Sequence, residues 1–227
     1  ALDNVEMTSR VSGNNLFILF PEHRPDSPFA DARVRQAVAH AVDFDAIIAS
    51  VLFGQGERYT QIGEGTFGYD PSLEPYPFDP QRARELLAEA GYPNGFDTPC
   101  YNLTTPREPN VKEMGEAMFA YMAMAGIRCR VQGLEYGAWI ALGRRGGDSP
   151  DLDGPISWMW GQGVPGDPGT PWAGHVHTYV PDEGWGSYSY SSDPEVDAMI
   201  KESNLLMEPS AREAKLQEIA RLKHERV

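Results

Sequence analysis

Two histidines and two cysteines are the first places to look for chemistry. His175 and His177 flank a valine in "HVH". On a strand, residues two apart share a face and could hold one metal ion. No third ligand lies nearby in sequence, and the stretch around the pair is rich in glycine and aromatics. Hydrogen-bonded or solvated imidazoles are therefore the favoured reading, with no metal assigned. Cys100 and Cys129 are too few for a disulfide scaffold and lack metal-site spacing. "GQGVPG" (161 to 166) has glycines, but no Lys-Ser/Thr follows and no helix opens, so a phosphate loop is unsupported. The serines occupy no nucleophile elbow, and no two carboxylates are set apart by spacing as acid and base. The residues give no support for an enzyme or a cofactor.

Composition narrows the remaining classes. The chain has 227 residues, 41% of them hydrophobic, enough to bury a core. A formal net charge of −14 argues against nucleic acid, whose phosphates would be repelled. No apolar run approaches the ~20 residues of a transmembrane helix. The opening "ALDNVEMTSRVSG" reads as the middle of something, and the closing "ARLKHERV" stops inside a helical pattern. Both features lead us to expect a fragment.

The elements that must position any site follow from periodicity. "NNLFILF" (14 to 20) is a short apolar run consistent with a buried strand. "PFADARVRQAVAHAVDFDAI" (28 to 47) then writes two helical phrases back to back. Val34, Ala37, Val38, Ala41 and Val42 recur at helical spacing behind a capping Asp31. Phe44, Ile47, Ile48, Val51 and Leu52 repeat the pattern behind Asp43, with Gly54 as the stop. Residues 61 to 80 form a long loop. Asp79 and Pro80 open a third helix, whose buried stripe is Ala83, Leu86, Leu87 and Ala90. A strand is predicted through 98 to 103. An amphipathic helix carrying Met114, Ala117, Met118, Tyr121, Met122 and Ala125 follows, stopped by Gly126. The strand "IRCRVQ" comes next, alternating Ile127, Cys129 and Val131 against Arg128 and Arg130. Strand, helix, strand in this compass is a βαβ unit with parallel strands. A helix is expected over roughly 136 to 145, a strand over 156 to 160, and a long Gly/Pro/aromatic loop over 161 to 192. Asp193 with Pro194 restarts helix, and a last helix begins near Ser210. The fold class is α/β.

Three phrases in order now point to a family: "PFADARVRQAVAHAVDFDAI", "GYDPSLEPYPFDPQRARELLAEAGYPNGF" and "SYSYSSDPEVDAMI". Together they resemble the solute-binding protein family 5 of ABC importers, which includes dipeptide-, oligopeptide- and nickel-binding proteins. The resemblance runs from about residue 14 to the end. It implies a periplasmic-binding-protein-like (type II) lobe, a mixed sheet flanked by helices, in a receptor whose two lobes close over a ligand. Full members are about twice this length. On this resemblance residues 1–227 are a single lobe, the second of two. Residues 1–20 cross the hinge, and 208–227 start the segment returning to the missing lobe. The implied setting is periplasmic, or a cell-surface lipoprotein. The implied partners are a small-molecule or short-peptide solute and the transmembrane subunits of an ABC permease, with the receptor a monomer.

The same resemblance locates ligand contacts at three strand ends. In "TTPREPN" peptide-binding relatives often carry an arginine for the ligand carboxylate, and position matching puts Thr105 or Arg107 at or beside it. Arg107 has the fork for a bidentate contact. Its alternative is a plain surface arginine near a helix start. In "LEYGAW" the aromatic after the glutamate is Tyr136, while Trp139, one turn on, reads as core. In "ISWMWGQG" Trp158 matches a pocket-lining tryptophan. Trp160 is an added aromatic, and Gly161 stands where peptide-binding relatives place an aspartate for the α-amino group. Asp167 matches an Asp-Pro read as a structural turn. This departure at Gly161 keeps an oligosaccharide or other non-peptide solute open beside a peptide. A secreted hydrolase domain is the rival of another class, and it would need a strand-end nucleophile beside a base. The βαβ reading places Cys100 and Cys129 on neighbouring strands, either bridged or as two small core residues.

Overall fold

Several helices start where an aspartate side chain takes up unbonded N–H groups. In the computed structural model, which describes residues 14–106, 110–144, 152–161, 168–180, 182–183, 185–186 and 188–227, Asp31 accepts from the Arg33 N–H at 2.8 Å and opens α1 (Ala32–Ala41). Asp43 accepts from the Ala46 N–H at 2.9 Å and opens α2 (Phe44–Val51). Asp79 caps α3 (Pro80–Glu89) through the N–H groups of Gln81 and Arg82. Residues 52–79, between α2 and α3, form no helix or strand.

The βαβ unit is β2 (Phe96–Leu103), α4 (Val111–Ala125) and β3 (Ile127–Leu134), with the two strands parallel from Phe96↔Ile127 to Leu103↔Leu134. α5 (Tyr136–Gly143) follows β3 directly. β4 (Ile156–Gly161) joins β2 in parallel at Tyr101↔Ile156, and β1 (Asn14–Leu19) pairs antiparallel with β4. The order β1-β4-β2-β3 makes a mixed four-stranded sheet, with β1 and β3 as its edges. Being an edge explains why Val131, read as an inward residue of β3, is 46% exposed.

The sheet is covered on both faces. One core joins Phe29, Val34, Val38, Ile47, Leu87 and Met122 of the first helices to Cys100 and Ile127 of the sheet. The other packs Trp139 of α5 on Tyr101, Leu103, Ile156 and Trp158. Alternation along β2 sends Cys100 to the first and Tyr101 to the second, as a pleated strand requires. A third core lies under α7 (Pro194–Leu205) and α8 (Pro209–Arg226), where Val196, Ile200, Leu216 and Ile219 meet Ile62 and Trp172. Burial alone would raise the Asp193 carboxyl at the head of α7. The Arg226 guanidinium and the Val196 N–H hold it below the ordinary carboxylate range.

One sequence expectation changes here, and one open alternative is settled. The stretch 161 to 192 is not all loop, because α6 (Gly169–His175) lies within it and buries Trp172 at 4% exposure. Seven residues carry too few apolar repeats for periodicity to register. The cysteines are bridged: Cys100 and Cys129 form a disulfide with their Cα atoms 5.4 Å apart. They are diagonal neighbours, since Cys129 lies opposite Thr98 and Cys100 opposite Val131.

Candidate functional site

β2, β3 and β4 are parallel, so their last residues, Leu103, Leu134 and Gly161, lie at one edge of the sheet. β1 runs the other way, which puts its first residue, Asn14, beside Gly161 at that edge. The sequence-derived positions Thr105, Tyr136, Trp160 and Gly161 therefore gather there although they are far apart in the chain. The backbones of Trp160 and Gly161 pair with Asn15 and Asn14. Arg107 and Asp167 lie outside the described residues.

Thr105 and Tyr136 are joined through one hydroxyl. Thr105 Oγ1 donates to Glu135 Oε2 at 2.8 Å and accepts from the Tyr136 N–H at 2.9 Å. Glu135 is the N-cap position of α5 but makes no capping bond of its own. The first N–H of the helix is instead satisfied from the loop after β2. Thr104 strengthens the seam, its N–H and hydroxyl both donating to Leu134 O, at 2.9 and 3.0 Å.

Behind this seam the aromatics stack inward. The half-buried Tyr136 ring lies 5.9 Å from Trp139, whose Nε1 donates to Ser157 O at 2.8 Å. Trp139 is 2% exposed, as the core reading has it. Trp158 stacks on it with centroids 4.0 Å apart and planes 21° from parallel. Trp158 is fully buried. The physical reason is its place on β4, an interior strand with α5 laid across that face. Its buried Nε1 has no hydrogen-bond partner among the described residues.

The histidines follow a different geometry from the strand reading. His175 ends α6, and its ring stacks on Tyr188 at 5.0 Å and 7°. His177 is buried against Trp185 at 4.5 Å, with Nδ1 2.6 Å from Thr178 O. Among the described residues no three His, Cys, Asp or Glu side chains gather as a metal site.

Several members of this assembly were not singled out by the sequence: Asn102, Gly143, Ser157 and Tyr188. Gly143 has the plainest role, since a Cβ there would meet Trp158 Cζ3 at 1.9 Å. Gly143→Ala is therefore expected to push the Trp158 ring off Trp139. Overpacking of this kind costs about 1–3 kcal/mol. Thermal denaturation and tryptophan fluorescence check it, and an unchanged emission spectrum and melting temperature would contradict the packing described.

Comparison with known proteins fits this geometry. Residues 1–178 match the model of "Bacterial extracellular solute-binding proteins, family 5 Middle". The chain is 32% identical over 164 residues to heme-binding protein A of Haemophilus influenzae, across 71% of this chain and 29% of that protein. It is 33% identical over 122 residues to the dipeptide-binding protein of Escherichia coli, across 52% of this chain and 23% of that protein. The chain thus spans less than a third of the length of these relatives. In structure it is similar to HbpA2 of Haemophilus parasuis, with TM-score 0.82 at 24% identity over 96% of this chain and 41% of that one. It also resembles a dipeptide-binding protein of Pseudoalteromonas sp. SM9913 in complex with Met-Leu, with TM-score 0.79 at 23% identity over 94% of this chain and 41% of that one. The fold is that of the type II periplasmic binding proteins, a mixed sheet flanked by helices. With its strand ends gathered at one edge and its sequence matching over most of its length, the chain belongs to the bacterial extracellular solute-binding proteins of family 5.

Proposed function

We propose that residues 1–227 form one lobe of an extracytoplasmic receptor, periplasmic or held at the cell surface, that feeds an ABC importer. The observation that carries this reading is the shared edge. Three parallel strands end there, and β1 starts there. A solute captured between this wall and a facing lobe would be handed to the permease without chemical change. Half of such a pocket belongs to the facing lobe, so this lobe by itself is an open wall and a weak binder.

Thr105, Arg107, Tyr136, Trp160 and Gly161 are our candidate contacts, with Trp158 acting from beneath. Gly161 bears on the class of solute. A free peptide's α-ammonium, buried without an anion, is an uncompensated charge that costs several kcal/mol. Glycine at the end of β4 offers no carboxylate. Glu135 follows β3, two strands away, which is about 10 Å at ordinary strand spacing. One of its oxygens also already accepts from the Thr105 hydroxyl. The reading therefore favours a solute without a free α-amino group, over the dipeptides for which some relatives are named. In the full-length receptor, N-acetyl-Met-Leu is expected to bind at least about tenfold more tightly than Met-Leu, a difference of ~1.4 kcal/mol or more. Calorimetric titration decides it. Tight capture of Met-Leu with no response to the N-blocked peptide or to sugars would sink the proposed solute class.

A further inference from the structure

Asn102, near the end of β2, is 1% exposed and uses both ends of its amide. Its Nδ2 donates to Lys112 O at 2.9 Å. Lys112 lies in the first turn of α4, so this bond staples the end of β2, where the loop bearing Thr105 begins, to the start of α4. Its Oδ1 accepts from Ser157 Oγ at 2.7 Å, and Ser157 O in turn accepts from Trp139 Nε1. α4 closes over the amide so tightly that a Cβ on Gly115 would meet Asn102 Oδ1 at 2.1 Å. One buried side chain is thus bonded to the first turn of α4 and to β4, and reaches α5 through Ser157.

We infer that Asn102 is the positioning residue of the strand-end wall, holding its three segments in register. An amide and a hydroxyl buried at this depth stabilise no more than well-packed apolar groups would, but their bonds are directional. Each bond is satisfied in one arrangement of β2, β4 and α4. Apolar packing between the same elements would tolerate small slips, and the wall contacts would slip with them. Tyr136 sits at the end of both routes. Its ring packs on Trp139, and its N–H is held by Thr105 from the stapled loop. That the wall receives a solute rests on the function proposed above; that Asn102 positions it does not.

The test is solvent exchange in the full-length protein, read at two protons, the Trp139 indole N–H and the Tyr136 amide N–H. Asn102→Leu keeps the volume and removes both bonds. It is expected to speed exchange at both protons at least tenfold. Ile200→Ala, in the separate core under α7 and α8, serves as a control of comparable thermal destabilisation and should leave both protons unchanged. Ser157→Ala cuts only the route to β4, so it should speed the indole proton and spare the Tyr136 amide. That variant carries the test if Asn102→Leu fails to fold. Unchanged exchange in Asn102→Leu, an equal response in Ile200→Ala, or an unaltered indole proton in Ser157→Ala overturns the inference. None of these readouts needs a solute. A receptor that binds neither Met-Leu nor its N-acetyl form would count against the proposed function and leave this result standing.

Discussion

Arg35→Met is expected to destabilise the protein by about 3–5 kcal/mol, the usual cost of breaking a buried ion pair from one side. Arg35 is only 6% exposed, on the inner face of α1. Its Nη1 donates to Phe29 O at 2.8 Å and to Ala30 O at 3.1 Å. Its Nη2 donates to Arg226 O at 2.7 Å, and its Nε to Val227 O at 2.7 Å. Glu22 lies 3.7 Å from the guanidinium and 3.9 Å from the Nζ of the buried Lys223. Gln36 and Tyr76 complete the arrangement by donating to Glu225 O and His224 O. The backbone carbonyls of residues 224–227 thereby accept from side chains of α1 and the 52–79 loop. Methionine fills the space but leaves those acceptors and Glu22 poorly matched. Lysine, with three donors on a flexible stem, should recover only part of the loss. Urea unfolding measures it, and a change below about 1 kcal/mol would show that the cluster contributes little net stability.

Reduction of the Cys100–Cys129 bridge is expected to cost about 3.5 kcal/mol, from the loop-closure entropy of the unfolded chain. The cysteines are 29 residues apart, and the loop they close holds α4 and the ends of β2 and β3. A melting temperature lower by roughly 7–14 °C should follow, since 1 kcal/mol moves a chain of this size by about 2–4 °C. Cys100→Ala with Cys129→Ala should reproduce the loss and make stability insensitive to dithiothreitol. Thiol labelling of the unfolded, unreduced protein should find no free cysteine. Two labelled thiols, or equal stability with and without reductant, would contradict the bridge.

Much of the fold was legible because its signals are short-range. Asp31, Asp43, Asp79 and Asp193 all cap helices, each bonding an N–H two or three residues on. Gly126 ends α4 and β3 starts at the next residue, so the parallel unit could be read from spacing alone. The family phrases lie within these same elements, and so the resemblance survived the structure. Where apolar residues were few, as in α6, the signal vanished.

What the sequence by itself determined is thus the order and type of most elements. It also determined that Trp139 is core. The tertiary structure alone decided which of the matched side chains are buried. Trp158 looks like a contact in a one-dimensional match, yet it is buried because α5 crosses the interior strand that carries it. Asn102 looks like any polar residue at a strand end, but it bonds Ser157, 55 residues away. Arg35 is a charge on an amphipathic helix, yet it is buried where it donates to the backbone carbonyl of Arg226, 191 residues away. Caps and periodicity are set by neighbours along the chain. Burial, pairing of charges and disulfide geometry are set by neighbours in space, and those exist only once the sheet and its two covering layers have closed.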